Sequence, residues 1–129
     1  MTTDSVDHLI ELAAKARAAA YARFSRYLVG AAVEDENGRI HTGCNVENAS
    51  YGASMCAERV AIFKMISEGG RRILGMAVAT EDGGVPCGMC LQVIREFATE
   101  PEALDIWCAS TAGDVRKFTL KELLPVEFG

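Results

Sequence analysis

Four side chains in two short stretches of this sequence have the types and spacing of a metal-assisted hydrolytic centre. Cys56-Ala57-Glu58 comes first, and Pro86-Cys87-Gly88-Met89-Cys90 follows some thirty residues later. Three thiolates can hold one zinc ion and leave its fourth tetrahedral position for water, the feature that separates a catalytic zinc from a structural one. Glu58, two residues after Cys56, can stand near the ion without binding it. A carboxylate placed there can take a proton from water and deliver it to a leaving amine. On these residues the chain reads as a zinc hydrolase.

The ligands need rigid elements to aim them. Cys87 and Cys90 are three apart, so on the first turn of a helix both sulfurs point to one side. Pro86 stands just before them, where a helix tolerates proline best. Cys56 falls at a second helix start, after Ser54 as an N-cap and before the apolar run Val60, Ile62, Phe63, Met65 and Ile66. Helix N-termini carry partial positive charge and favour thiolate over thiol.

Around these two helices the sequence alternates strand and helix patterns. Thr3 or Asp4 can cap a first helix, along which Val6, Leu9, Ile10, Ala13, Ala20 and Tyr21 recur near helical spacing. Leu28–Val33 and Arg39–Cys44 read as strands joined by the hairpin turn Asp35-Glu36-Asn37-Gly38. Asn45 to Tyr51 is a polar loop. Ile73–Thr80, Leu104–Ser110 and Val115–Phe118 read as further strands, with a helical turn over Leu120–Leu124. The pattern predicts an α/β sandwich with a mixed, roughly five-stranded sheet, built as a single domain over residues 1–129.

A net charge of −5 and a pI near 5.0 exclude a surface built to grip nucleic-acid phosphates, while leaving a free nucleoside open as a ligand. No apolar stretch reaches membrane-spanning length, and the N-terminal residues lack the basic and apolar regions of a signal peptide. A cytoplasmic protein with reduced cysteines is the expectation. Cys44 and Cys108 read as small buried hydrophobes, His8 as a solvent-facing helix residue and His41 as a strand residue. Neither histidine is assigned to the metal.

Taken together, Cys56-Ala57-Glu58, the Pro86–Cys90 segment, Gly43-Cys44-Asn45-Val46-Glu47-Asn48-Ala49-Ser50-Tyr51-Gly52, Val29-Gly30-Ala31-Ala32 and Glu122-Leu123-Leu124-Pro125 resemble the small homotetrameric cytidine deaminases. The resemblance covers nearly the whole chain. It implies a three-layer α/β/α sandwich, one zinc per chain on Cys56, Cys87 and Cys90, and Glu58 as the catalytic proton shuttle. It implies hydrolytic deamination of cytidine and deoxycytidine to uridine and deoxyuridine, as in pyrimidine salvage. Asn45 and Glu47 match the pair that holds ribose hydroxyls, and the loop through Val46, Asn48, Ala49, Ser50 and Tyr51 matches one that also reaches a neighbouring subunit's site. Tyr27 stands where the family has a phenylalanine against the base, and Phe128 resembles a C-terminal aromatic that covers a neighbour's pocket. Arg59 resembles an arginine that hydrogen-bonds the ligand thiolates. Three thiolates outweigh a divalent ion, and a guanidinium there offsets the excess.

The sequence departs from the family pattern in places. The usual SPFxVGAA reads Ser25-Arg26-Tyr27-Leu28-Val29-Gly30-Ala31-Ala32, Leu91 replaces an arginine after Cys90, and the connection from Thr80 to Pro86 is short. These departures touch the base pocket and subunit contacts. They leave another aminopyrimidine, or a nucleoside-like antibiotic such as blasticidin S, as the alternative substrate. A non-catalytic zinc protein is the alternative from another class, and the sequence offers no obvious fourth ligand for it.

Overall fold

The computed structural model describes residues 2–129. Strands β1 (Gly30–Asp35), β2 (Ile40–Cys44), β3 (Ile73–Thr80), β4 (Asp105–Ser110) and β5 (Val115–Thr119) form one sheet in the order β2-β1-β3-β4-β5. β3 and β4 run parallel, and the other neighbouring pairs are antiparallel. The helices are α1 (Thr3–Arg17), α2 (Ala57–Ser67), α3 (Gly88–Phe97) and the short α4 (Leu120–Leu123).

Two-residue periodicity divides the sheet into two faces. Ala31, Val33, Met76, Val78, Ile106 and Cys108 pack with α2 and α3 through Ala61, Ile62, Met65, Leu91 and Ile94. Ala32, Ala77 and Ala79 alternate with them and pack against Leu9 and Ala13 of α1. The central strands are covered on both sides, so they read as continuous apolar runs. The result is the expected α/β/α sandwich with a mixed five-stranded sheet.

β3 spans the expected residues, and the β1–β2 hairpin closes with the Gly38 N–H donating to the Asp35 carbonyl at 3.0 Å. The ends of α1 and α2 differ from expectation. The N-cap of α1 is Thr2, whose hydroxyl accepts from Ser5 N–H at 3.2 Å, in place of Thr3 or Asp4. The helix also stops at Arg17, because Tyr21 turns away to exchange backbone hydrogen bonds with Asn45 and Glu47 at 2.9 and 2.8 Å. Ser54 does not cap α2. Its hydroxyl accepts from Asn48 N–H at 2.9 Å, and Cys56 occupies the cap position without a side-chain hydrogen bond.

α2 lies directly on β2 because Gly43 has no side chain. A Cβ there would fall 2.6 Å from the Ala61 backbone nitrogen, well inside contact distance. This close approach fixes the height of Cys56 and Glu58 above the sheet.

Candidate active site

Cys56 and Cys87 are the N-caps of α2 and α3, and Cys90 sits on the first turn of α3. Pro86 lies just outside α3. The three sulfurs lie within 4.8 Å of one another, with Cys56 Sγ and Cys87 Sγ 3.9 Å apart. Zinc–sulfur bonds of about 2.3 Å at tetrahedral angles put two sulfurs roughly 3.8 Å apart, so the donor set fits one zinc ion. The helix N-termini behind the sulfurs favour their charged forms.

Arg59 Nη2 donates to Cys56 Sγ at 3.3 Å, whereas Arg59 Nε is buried without a partner among the described residues. Hydrogen bonds from the Cys90 thiol, Arg59 and the Cys87 thiol outweigh burial and pull Cys56 down to about 5. Cys90 moves up because it shares its proton with the Cys56 sulfur and is buried. One thiolate is therefore already stabilised by the protein, and a divalent ion would complete the set.

Glu58 is only 5 % exposed on the first turn of α2. Burial pushes its carboxyl up to about 7, the Cys56 charge adds to the rise, and Arg59 opposes it. Its carboxylate bonds only to its own backbone N–H among the described residues, which leaves acceptor capacity for a reactant.

A cleft of about 310 Å³ opens over this centre between Asn45, Glu47, Tyr51, Ser54, Cys56 and Met89. A second hollow of about 430 Å³, which adds Phe24, Ser25 and Asn48, shares Glu47, Tyr51 and Ser54 with it. Phe24 lies outside every motif, and Ser25 and Met89 lie inside two of them at positions whose types do not mark them as walls of the site.

Asn45 and Glu47 stand in the cleft wall and also organise the loop between α1 and β1. Asn45 Nδ2 donates to the Tyr27 carbonyl at 2.8 Å, and its Oδ1 accepts from Val29 N–H at 2.9 Å. Glu47 accepts from the Ser25 hydroxyl and from the N–H groups of Phe24 and Ser25, both at 3.0 Å. These bonds, the Ser25 hydroxyl foremost, hold its carboxyl below the usual range.

Val46, Ala49 and Ser50 do not line either hollow. Val46 instead forms a backbone pair with Met55, and Ser50 N–H donates to Asn48 Oδ1 at 2.9 Å. Tyr27 is half-buried, with its hydroxyl on Asp82. Phe128 is 86 % exposed beside Phe63, Val93 and Phe97, on another part of its own chain's surface.

The departures from the family pattern have local explanations. Arg26 has φ of +59°, which a proline ring cannot reach. Leu91 is 6 % exposed within the core beneath α3. Cys108 is buried as expected, but Cys44, at the end of β2, is only half-buried.

Fold and site together define a zinc-type hydrolase: an α/β/α sandwich whose two helix starts converge three thiols beside a buried carboxylate. Residues 3–102 match the zinc-binding region of cytidine and deoxycytidylate deaminases. The chain is 41% identical to the cytidine deaminase of Sporosarcina psychrophila, over 95% of this chain and 90% of that one. It is 43% identical to the cytidine deaminase of Halalkalibacterium halodurans, over 93% and 91%. It superimposes on the crystal structure of cytidine deaminase from Burkholderia pseudomallei with a TM-score of 0.88, at 42% identity, over 99% of this chain and 100% of that chain. The chain belongs to the cytidine and deoxycytidylate deaminase family.

Proposed function

We infer that this chain is a zinc-dependent deaminase that hydrolyses cytidine and deoxycytidine to uridine and deoxyuridine, releasing ammonia. The observation that carries the reading is the convergence of Cys56, Cys87 and Cys90 on one point beside buried Glu58. The identity to curated cytidine deaminases supports the substrate.

Cys56, Cys87 and Cys90 would hold the ion, which lowers the pKa of water to about 7 and so supplies a nucleophile at neutral pH. Glu58 takes the proton of the attacking water and delivers it to N3 of cytosine as C4 becomes tetrahedral. It then moves a proton to the amino group, and ammonia leaves. Arg59 holds Cys56 and offsets the surplus negative charge of three thiolates. Asn45 and Glu47 orient the sugar, Tyr27 stands toward the base, and Val46, Asn48, Ala49, Ser50 and Tyr51 complete the substrate loop. A site built to hydrogen-bond a sugar hydroxyl penalises a ligand without one, so free cytosine should be a poor substrate.

The catalytic unit is the single domain 1–129, and it works as a homotetramer with shared sites. Supporting this are the exposure of Tyr51, Val126 and Phe128, at 84, 85 and 86 %, on segments that resemble subunit-contact segments. Light scattering at assay concentration tests it, and a fully active monomer would reject shared sites. Among the described residues no helix is long and apolar enough to cross a membrane. Five cysteines without a disulfide support a cytoplasmic setting, where thiols stay reduced, and cytidine turnover fits pyrimidine salvage.

A spectrophotometric panel of cytidine, deoxycytidine, cytosine, adenosine, guanine and blasticidin S decides the substrate. Cytidine and deoxycytidine should lead. Inactivity on both, with turnover of another member, would overturn the assignment.

A further inference from the structure

The loop between α1 and β1 is fastened at three points. Glu47 holds Phe24 and Ser25, Asn45 holds Tyr27 and Val29 through their backbones, and the Tyr27 hydroxyl donates to Asp82 Oδ1 at 2.6 Å. The first two fastenings belong to the substrate-side wall. The third reaches a different region, because Asp82 lies in the connection from β3 to Cys87.

That connection is held from the sheet side, where Arg116 Nη2 donates to the Gly83 carbonyl at 2.7 Å and Thr111 Oγ1 to the Glu81 carbonyl at 3.3 Å, and by its own side chains. Thr80 Oγ1 accepts from Gly83 N–H at 2.7 Å and Gly84 N–H at 2.9 Å, and Asp82 Oδ1 also accepts from Gly84 N–H at 3.1 Å. A Cβ on Gly84 would fall 2.6 Å from the Tyr27 oxygen, so the phenol seats where only glycine allows it. The Asp82 carboxyl is held below its ordinary value, first by the Tyr27 hydroxyl, as fits an ionised acceptor.

We propose that Tyr27 and Asp82 form a positioning tether that couples the substrate-side loop to the segment entering the metal ligands, and so sets how tightly the nucleoside is held. The phenylalanine that the family pattern expects at position 27 has no hydroxyl and could not make this bond. The tether therefore adds to the hold on the short Thr80–Pro86 connection with a side-chain bond from the loop between α1 and β1. Neither residue contacts the reacting atoms. Their effect falls on substrate binding, with the chemical step left to Glu58.

The test rests on the cytidine reading and is arranged to fail separately from it. Steady-state kinetics on cytidine for Tyr27→Phe and Asp82→Ala should each show KM raised about three- to tenfold, with kcat changed less than about twofold and zinc content unchanged. The double variant should be no worse than Asp82→Ala alone, since that change already removes the bond lost in Tyr27→Phe. Asp82→Asn keeps an acceptor and should restore most of the affinity. Gly84→Ala, which displaces the phenol, should resemble Tyr27→Phe.

A loop with a merely structural role would lower the melting temperature and leave KM unchanged, and that outcome overturns the proposal. So do multiplicative effects in the double variant. Hydrogen exchange supplies a readout independent of substrate: amides of residues 82–85 should exchange faster in Tyr27→Phe than in wild type. Equal exchange rejects the tether even if the wild type proves inactive on cytidine, a result that would reject the substrate assignment instead.

Discussion

At its N-terminal end α2 presents Cys56, Glu58 and Arg59; at its C-terminal end Glu68 reaches His41 in β2, whose other ring nitrogen meets Asp35. The second cluster is closed. His41 Nε2 lies 2.8 Å from Asp35 Oδ2 and Nδ1 lies 2.7 Å from Glu68 Oε1, while Asp35 Oδ1 accepts from Asn37 and Arg39 N–H at 2.8 and 3.0 Å. The first cluster is left open: three sulfurs converge on one point, and among the described residues Arg59 Nε has no partner and Glu58 bonds to no other side chain or neighbouring backbone. A buried polar group normally finds partners, so valence left unused at one end of a helix, and satisfied at the other, separates a working site from a structural one.

Substitutions should break the comparison in different currencies. Glu58→Gln should keep zinc and fold yet lower kcat by roughly three to five powers of ten, since one group handles more than one proton transfer. Near-normal deamination by this variant would remove Glu58 from its role. Wild-type protein should carry about one zinc per chain by elemental analysis, and Cys87→Ala should lose the metal, the activity and part of the thermal stability together. A metal-free, fully active wild type would contradict the open site.

The closed cluster should respond in stability alone. Asp35→Ala leaves Nε2 of buried His41 and two N–H groups unpaired and should cost about 2–4 kcal/mol in urea unfolding, with activity per folded molecule retained. Glu68 is 54 % exposed, so Glu68→Gln should cost less than about 1 kcal/mol. Equal losses would show that both carboxylates are equally desolvated.

The smallest expected effect is on pH dependence. Burial pushes the Asp35 carboxyl up, but hydrogen bonds from His41, Arg39 and Asn37 outweigh it and hold the folded value below normal. A depressed carboxylate contributes stability that is complete above its unfolded value, near about 4, and is lost as pH falls through the folded value. The difference in urea midpoint between wild type and Asp35→Asn should therefore be flat near neutrality and shrink below about pH 4. A difference that persists unchanged to pH 3 would exclude this linkage.

The same contrast explains what could be read from the sequence. Cys56, Glu58, Cys87 and Cys90 were legible because thiols and carboxylates at helix-start spacing have few other uses. β3 was legible because a strand covered on both faces is one unbroken apolar run. His41 looked like any strand residue, since its partners lie 6 and 27 positions away and only the fold brings them together. The helical spacing of Ala20 and Tyr21 misled, because backbone pairing with the Asn45–Glu47 segment overrode a local preference. The double duty of Asn45 and Glu47, in the cleft wall and within the loop beside it, has no sequence signal.

The parallel pairing of β3 and β4 has a consequence for how the protein is made. Parallel neighbours need a crossover, and here the crossover helix brings Cys87 and Cys90 back across the sheet to Cys56. No contiguous fragment ending before this crossover contains the full ligand set. A growing chain thus emerges with Cys56 well before its partners, and the three-sulfur set is complete only once Cys90 has been made. An ion held by all three would tie α2 to the crossover helix, joining segments that lie on either side of β3 in the chain.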